Sequence, residues 1–335
     1  MQLIQSILYD CVYHSAPIIL CVLGGMFAYK TNVLNIVLEG MMLNGAFVSI
    51  LTYYMTGNMA LTVLFTISTT LLYGLVFSSL GVTMKGNVII IGLAINMIST
   101  AIASFVLVMM NSSNIILPDF DLNALKINIP IIKDIPFIGS ILSGHPIITY
   151  LAFIMIFLMY VVMYHTKFGI YVRVVGESEE AAKAIGLHTD FYKYAAILIG
   201  AVGCALGGMN MSLERLGLFT NDMTAGRGFI AIAAIYCGQG RPIQSSIYAI
   251  LFGLSRALAV NLSVYAGNAS GLFDCFPYIL MIAVLAGASY MKHKEDVKMV
   301  KEAGGDAAFV GSAILKLQDD IPAMKEKIRE FAAQC

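Results

Sequence analysis

Residues 87–110 read NVIIIGLAINMISTAIASFVLVMM, and none of these side chains carries a charge. A hydrocarbon core roughly 30 Å thick is crossed by about 20 helical residues, because an α-helix rises about 1.5 Å per residue. This stretch is therefore long and apolar enough to cross a membrane as one α-helix.

The rest of the chain has the same character. Of its 335 residues, 59% are hydrophobic and only 12% are charged, whereas soluble domains carry about 25% charged residues. Comparable apolar segments occur at 3–27, 38–54, 59–80, 146–164, 192–212, 243–262 and 275–291, with a shorter one at 228–237. We predict an all-α, polytopic membrane helical bundle of about eight to ten transmembrane helices.

What the sequence lacks excludes several classes of function. The formal net charge is zero and no basic run alternates with aromatic residues, so a nucleic-acid partner is not expected. The six cysteines show no metal-binding spacing, and no H-E-x-x-H, G-x-S-x-G or phosphate-loop motif occurs. We therefore predict no catalytic residue, no metal site and no cofactor bound by this chain, and we expect it to move a small solute.

Basic side chains indicate the orientation of the bundle. Lys85, then Lys167 with Arg173, and then Arg241 fall in alternate loops. Loops rich in Lys and Arg remain on the cytoplasmic side of a membrane. The loop 166–190 is therefore predicted to be cytoplasmic.

The remaining segments follow from that assignment. Segment 111–145 becomes an external loop, and its prolines argue against one long helix there. After residue 291 the sequence turns strongly charged. We predict a membrane domain at 1–291 and a short, charged, helical cytoplasmic tail at 292–335.

Residues 176–186, GESEEAAKAIG, have the composition of a short helix with both ends marked. Ser178 is suited to cap the N-terminus, and Gly186 to end the helix in the left-handed conformation. Glu179 and Glu180 would then lie in the first turn, where the helix dipole favours acidic side chains.

This short helix is a candidate docking site. Ala181, Ala182 and Ile185 would form a small, flat face that lets another protein approach closely, while the charges hold the helix at the surface. The alternative is an ordinary loop helix that joins two membrane spans.

Polar residues near the start of the second apolar segment are candidates for solute contact. Glu39 lies one residue into that segment, and Asn35 and Asn44 lie about one turn before and after it. A charge in the middle of a membrane costs roughly 2.5 to 3.5 kcal/mol, so Glu39 should face protein or water. Alternatively, Glu39 anchors its helix at the cytoplasmic interface or pairs with Lys30.

Arg227 stands between Gly226 and Gly228 and opens an apolar run too short to cross a membrane. This predicts a broken or re-entrant half-helix, whose N-terminus could present backbone donors to a polar solute. An ion pair of Arg227 with Glu214 or Asp222 is equally compatible with the sequence.

Three segments resemble one family of transport proteins. Glu180-Ala181-Ala182, followed by Gly186, resembles the Glu-Ala-Ala coupling loop of ABC-transporter permeases. Residues 35–43, NIVLEGMML, and 223–233, MTAGRGFIAIA, resemble signatures of the branched-chain amino acid, ribose and nucleoside permeases, nearest to the nucleoside or simple-sugar branch. The chain departs from that branch at Val37, where glycine is expected, and in its long tail.

The resemblance implies a transport subunit of an ATP-driven importer for a nucleoside or a related simple sugar. It implies a multi-pass protein of a bacterial cytoplasmic membrane, surrounded by lipid. Its expected partners are a cytoplasmic ATP-binding subunit that holds ATP and Mg, a second permease subunit, the same or homologous, and an extracellular or periplasmic substrate-binding protein. The alternative is an ion-coupled secondary transporter of a small polar solute, which would require a carboxylate near the membrane midplane.

Particular residues are the candidates for two roles in such a protein, some from the resemblance and some, such as Asn96 and Arg256, because they are polar residues inside apolar spans. Those expected to couple to the ATPase are Gly176, Glu177, Ser178, Glu179, Glu180, Ala181, Ala182, Ile185 and Gly186. Those expected along the substrate pathway are Asn35, Glu39, Asn44, Asn96, Arg227, Phe229 and Arg256.

Overall fold

A computed structural model describes residues 2–118, 120–127, 143–263 and 275–284, together with residues 139, 141 and 273. The chain divides into a unit Met1–Met281 and a unit Ile282–Cys335. The description below concerns the first unit. The tail predicted at 292–335, and the end of the span predicted at 275–291, lie outside the described residues.

Helices account for most of the described residues, as predicted. In chain order they are α1 (Gln2–Lys30), α2 (Leu38–Thr56), α3 (Met59–Ser78), α4 (Val88–Met109), α5 (Ile147–His165), α6 (Lys167–Glu177), α7 (Glu179–Ala184), α8 (Thr189–Met209), α9 (Arg227–Cys237) and α10 (Pro242–Ser263). Residues 276–284 are also helical. One π-helical turn, Ser79–Thr83, extends α3, and another, Asn210–Glu214, extends α8.

Short strands occur at one end of the bundle, where the sequence predicts an external loop. β1 (Asn114–Ile116) pairs antiparallel with β4 (Leu218–Thr220), and β2 (Lys126–Ile127) pairs antiparallel with β3 (His145–Pro146). Besides these strands, the described part of this loop includes a short 3₁₀ turn at Leu122–Leu125.

Six of the described helices are long and apolar enough to cross a membrane. They fall into two groups. α1 and α8 are central, with 83% and 72% of their apolar windows buried, whereas α3, α4 and α5 are peripheral and expose apolar side chains on most of their surface. Such a surface is expected where a helix faces lipid. α10, at 44%, is intermediate between the two groups.

α2 is not among these six, yet most of it is buried inside the bundle. Its buried residues include most of the segment from Leu38 to Ile50, and it packs on α3, α4, α8 and α9. A helix surrounded by protein can carry Glu39 and Asn44 because neighbouring helices supply hydrogen-bond partners. The bundle is therefore the polytopic all-α membrane architecture that the sequence predicts.

The basic turns meet at one end of the bundle, opposite the strands. Tyr29 at the end of α1 contacts Tyr236 at the end of α9, with ring centroids 4.9 Å apart. Thr83, after α3, bonds to Tyr194 at the start of α8. We call this end, which carries Lys30, Lys85, Arg173, Lys183, Lys193 and Arg241, the basic end.

α9 is the predicted half-helix. It has 11 residues and so rises only about 16 Å, roughly half of a hydrocarbon core. The backbone before it is irregular, because Asp222, Ala225 and Gly226 all have positive φ. α9 therefore begins inside the bundle and ends at the basic end.

Close packing of α1 on α8 depends on glycine. A Cβ at Gly203 of α8 would lie 2.5 Å from the carbonyl oxygen of Leu20 and 3.2 Å from Cα of Gly24, both in α1. These neighbours are backbone atoms that cannot rotate away. Small residues at such contacts let two membrane helices approach backbone to backbone.

Replacing Gly203 by alanine should therefore destabilise the protein by about 1–3 kcal/mol through overpacking. Gly200→Ala, one turn earlier, is the matched control, since its nearest neighbour would be Asn35 Nδ2 at 3.5 Å. Thermal unfolding of the purified protein in detergent measures both. Equal melting temperatures for the two variants would contradict the packing described here.

Candidate functional site

The carboxylate of Glu39 closes the N-terminus of the half-helix α9. Its Oε1 accepts a hydrogen bond from the backbone N–H of Gly226 at 3.0 Å, and its Oε2 accepts one from Gly228 at 2.6 Å. The Glu39 residue is only 8% exposed. The helix dipole and the two donors together stabilise the negative charge.

Glycine at position 228 allows this contact. A Cβ there would lie 2.5 Å from both Cα and the backbone nitrogen of Glu39. The start of α9 therefore touches the main chain of α2. Any larger residue at position 228 would push the two helix ends apart and lengthen the hydrogen bonds to Glu39.

This arrangement corrects two expectations from the sequence. Glu39 does not pair with Lys30, because among the described residues the ion pairs within 4 Å are those of Glu179. Nor is the N-terminus of α9 open to a solute, since Glu39 already accepts from Gly226 and Gly228.

The start of α2 is anchored inside the bundle by Asn96 of α4. Asn96 Oδ1 accepts from the N–H of Gly40 at 2.9 Å, and its Nδ2 donates to the carbonyl of Ile36 at 3.0 Å. Asn96 lies eight residues beyond Val88, or about 12 Å along α4. Glu39 thus lies inside the bundle, next to a helix start that Asn96 holds.

A cleft of about 850 Å³ opens beside Glu39. It is open at the side of the chain, because Met97 on its wall is 73% exposed. We call it the central cleft. Its walls are formed by Glu39, Gly40, Leu43, Leu93, Asn96, Met97, Thr100, Ala101, Asp222, Thr224, Ala225, Gly226, Phe229 and Tyr278.

Three residues of the predicted substrate pathway therefore come together: Glu39, Asn96 and Phe229. Of these, Phe229 has the freest side chain, since it is 41% exposed and the other two bond to backbone. Sequence reasoning missed Thr224 and Tyr278 as cleft residues and weighed Asp222 only as an ion-pair partner.

The other predicted pathway residues lie away from the walls of the central cleft. Asn35 Oδ1 accepts from the N–H of Val37 at 3.1 Å and so supports the entry into α2. Asn44 Nδ2 donates to Thr69 and Thr70 of α3, at 3.2 and 3.1 Å. These contacts join or cap helices.

Arg227 fixes the loop before α9. Its guanidinium donates to the carbonyl oxygens of Met223 and Thr224, at 2.9 and 3.0 Å. The predicted ion pair with Glu214 or Asp222 is not present among the described residues. Arg227 and Arg256 line a separate cavity of about 30 Å³ together with His14.

A second buried carboxylate caps another helix in a similar way. Both oxygens of Glu214, in the π-helical turn after α8, accept from the N–H of Ile148 at 3.2 Å. Asn210 Nδ2 also donates to Glu214, at 2.9 Å. This contact fixes the start of α5 to the end of α8.

At the basic end, α7 is the short helix predicted from residues 176–186. Ser178 Oγ accepts from the N–H of Ala181, and Gly186 ends the helix with φ of +84°. Glu179 bonds to Lys183 at 2.7 Å and to Lys193 of α8 at 2.5 Å. These two ion pairs, which we call the Glu179 latch, fasten α7 to the first turn of α8.

The exposed face of α7 differs from the predicted one in one residue. Ala181 and Ile185 are exposed, with Ile185 at 67%, and so is Glu180. Ala182 is fully buried and packs against the chain itself. The face open to a partner is therefore formed by Glu180, Ala181, Ala184 and Ile185.

Gly176 and Glu177 lie before α7, at the end of α6. Any Cβ at Gly176 would overlap the carbonyl oxygen of Lys30, so α6 touches the end of α1 at this point. Glu177 is exposed and lines a cleft with Lys30 and Arg173. These two residues shape the surface beside α7.

The model of the family described as branched-chain amino acid transport system / permease component matches residues 7–285. The chain belongs to this family. It is a multi-pass membrane permease subunit, and the match spans both the central cleft and α7.

Two relatives align with most of this chain. The nucleoside ABC transporter permease protein NupC of Lactococcus lactis subsp. cremoris (strain MG1363) is 30% identical over 313 residues, 87% of this chain and 98% of the relative. The guanosine ABC transporter permease protein NupQ of Bacillus subtilis (strain 168) is 30% identical over 302 residues, with 86% and 93% covered.

A glucose ABC transporter permease protein of Haloferax volcanii is 23% identical over 148 residues, 44% of this chain and 39% of the relative. No solved structure gives a significant match.

Glu39→Ala should destabilise this permease, because it leaves two buried backbone N–H groups at the start of α9 without an acceptor. Each such group costs about 1–3 kcal/mol. Glu39→Gln, which keeps one acceptor oxygen, should be less severe. Thermal unfolding in detergent measures the order of stability of these variants. Asp222→Asn is the control, because it removes the charge of another carboxylate in the same cleft. A Glu39→Ala protein as stable as the control would contradict the role given to Glu39.

The carboxylate of Glu179, and with it the Glu179 latch, should remain ionised at ordinary pH. Hydrogen bonds from Lys183 and Lys193 lower the pKa of Glu179 from 4.5 to about 2. A carboxylate whose pKa falls on folding stabilises the fold above its ordinary pKa, and that contribution is lost as the pH drops towards 2. The side chain is 39% exposed, so solvent screens much of this contribution.

Lys193→Gln should therefore loosen α7, and amide hydrogen exchange at residues 181–187 should become faster between pH 5 and 8. Lys183→Gln is the matched control, because an exposed pair four residues apart contributes only about 0.3–0.5 kcal/mol. Unchanged exchange in Lys193→Gln would show that α7 is held without the latch.

Proposed function

We propose that this permease is the membrane-spanning subunit of an ATP-driven ABC importer that carries a nucleoside or a related simple sugar across a bacterial cytoplasmic membrane. The observation that carries the proposal is α7, a short exposed helix that the Glu179 latch fastens to α8. The names of the relatives above support the substrate class.

The Glu179 latch could transmit a movement from a soluble partner to the bundle. A partner that pushes on Glu180 and Ile185 would move α7, and Lys193 would carry that movement into α8. α8 packs on α1, α2 and α3, and its extension ends at Glu214, which caps α5. A displacement at the basic end would therefore reach the opposite end of the bundle.

The basic end is assigned to the cytoplasm, because Lys and Arg are retained on that side. The ATP-binding subunit would dock there, and the predicted tail would lie on the same side. ATP and Mg would be held by that subunit. The external loop would face the substrate-binding protein, while lipid would cover the apolar surfaces of α3, α4 and α5.

The central cleft is the proposed solute path. The carboxylate of Asp222 can accept hydrogen bonds from sugar hydroxyls, and the rings of Phe229 and Tyr278 offer flat faces to a base or sugar. Arg227 holds the loop that presents Asp222 and Thr224. A second permease subunit, the same or homologous, would close the open side of the cleft.

Uptake of radiolabelled guanosine, uridine and ribose into vesicles that contain the permease, its ATPase and its binding protein tests the proposal. Glu180→Arg and Ile185→Glu should each lower uptake at least about tenfold, because the first reverses a charge in the proposed docking face and the second adds one. Lys85→Gln, at the same end but outside α7, should leave uptake unchanged.

A catalytically inactive ATPase serves as the second arm. Uptake should stop with it and should survive dissipation of the ion gradient. Uptake that continues with the inactive ATPase but collapses with the gradient would refute the proposal and favour an ion-coupled secondary transporter.

A further inference from the structure

A second cleft, at the basic end, has no role in the function proposed above. It measures about 430 Å³ and lies between the end of α1, the end of α6 and the end of α9. We call it the basic cleft. Its polar and aromatic lining consists of Tyr29, Lys30, Asn32, Arg173, Glu177 and Tyr236. Its volume lies within the range of small-molecule sites, roughly 300 to 1,000 Å³.

The two cations of the basic cleft have donors to spare. Among the described residues, neither Lys30 nor Arg173 has a carboxylate within 4 Å. Arg173 donates its Nε to the carbonyl of Gly169 at 3.4 Å, and its guanidinium lies over the ring of Tyr164, 5.1 Å from the ring centroid. Among the described residues its four terminal N–H groups donate no hydrogen bond, so they remain for a ligand. Arg241 adds positive potential at Lys30. Such a pair of cations suits a phosphate group.

An aromatic wall lies beside these cations. Tyr29 and Tyr236 meet edge to face, with ring centroids 4.9 Å apart, and Tyr236 is 43% exposed. An exposed ring can stack on a planar base. Glu177, across the cleft, can accept hydrogen bonds from ribose hydroxyls. Phosphate donors, a ring surface and a hydroxyl acceptor are the three elements needed for a nucleotide.

We propose that the basic cleft binds a nucleoside monophosphate, the phosphorylated form of the imported solute, through Lys30 and Arg173 at the phosphate and Tyr236 at the base. The choice of a nucleoside rests on the function proposed above. The phosphate contacts rest on the cleft alone.

Its position gives such a ligand an effect on coupling. α6 ends at Glu177, and the next residue, Ser178, caps α7. A nucleotide between Lys30 of α1 and Arg173 of α6 would join α1 to the segment that carries α7. Occupancy would thus restrain the coupling helix when phosphorylated solute accumulates in the cytoplasm.

Isothermal titration calorimetry of the full chain in phosphatidylcholine nanodiscs tests this site with three probes: guanosine monophosphate, guanosine and inorganic phosphate. The monophosphate should bind, more weakly at higher salt, whereas any binding of guanosine in the central cleft should not change with salt or with substitutions in the basic cleft. Lys30→Gln and Arg173→Gln should each weaken binding about tenfold or more, as expected when one charge-assisted hydrogen bond is lost. Lys85→Gln is the control and should bind as the unaltered chain does.

A second set of measurements distinguishes the contribution of the base from that of the phosphate to binding. Tyr236→Leu should weaken binding of the monophosphate without affecting binding of inorganic phosphate. Equal affinities for the two probes, unaffected by Tyr236→Leu, would overturn the assignment of a nucleotide. Melting temperatures of all variants exclude loss of folding as the cause.

Lipid headgroups are the other source of phosphate. Binding of the monophosphate should persist in nanodiscs that contain phosphatidylglycerol, whereas its loss there would assign the cleft to lipid and overturn the proposal. Absence of saturable binding, or binding unchanged in Lys30→Gln and Arg173→Gln, would also overturn it. Uptake by the assembled transporter is measured separately, so failure here leaves the proposed function untouched.

Discussion

The architecture of this permease depends on one buried carboxylate. A helix that starts inside an apolar bundle exposes backbone N–H groups that neither lipid nor water can satisfy at that depth. Glu39 supplies both acceptor oxygens to the start of α9, and the same two hydrogen bonds stabilise the negative charge of Glu39. Without it, α9 could not begin where it does, and the loop at Asp222 and Thr224 would lose its position beside the central cleft.

Around that contact, most buried polar groups join main chains rather than face a solute. Asn96 bonds to the backbone of α2 on both sides of Glu39, Glu214 caps α5, and Arg227 holds the loop before its own helix. Broken helices leave more backbone N–H and C=O groups without a partner than straight helices do. In this fold most buried polar side chains therefore form hydrogen bonds to helix ends. The side chains that remain available in the central cleft belong to the loop before α9 and to nearby aromatic residues.

The basic end is organised differently, because water is present there. The Glu179 latch is partly exposed, so it directs α7 more than it stabilises the fold. Rigid backbone contacts lie next to it, at Gly176 against α1 and at Gly203 further along α8. A movable surface helix on a closely packed pair of central helices is a reasonable arrangement for transmitting force. The basic cleft lies between the two, where α6 leads into α7.

The sequence by itself determined the class of fold, the half-helix and the capped short helix α7, because these follow from local properties: apolar length, flanking glycines and cap residues. It also placed Glu39, Asn96 and Phe229 among seven candidates for the substrate pathway. It could not tell Asn35, Asn44 and Arg227 from solute contacts, since a polar residue in an apolar run has the same signature whichever partner it finds. Only the tertiary structure decided that Glu39 binds α9, that Ala182 faces inward and that Lys30 and Arg173 line one cleft, because each of these depends on how segments far apart in the chain pack together.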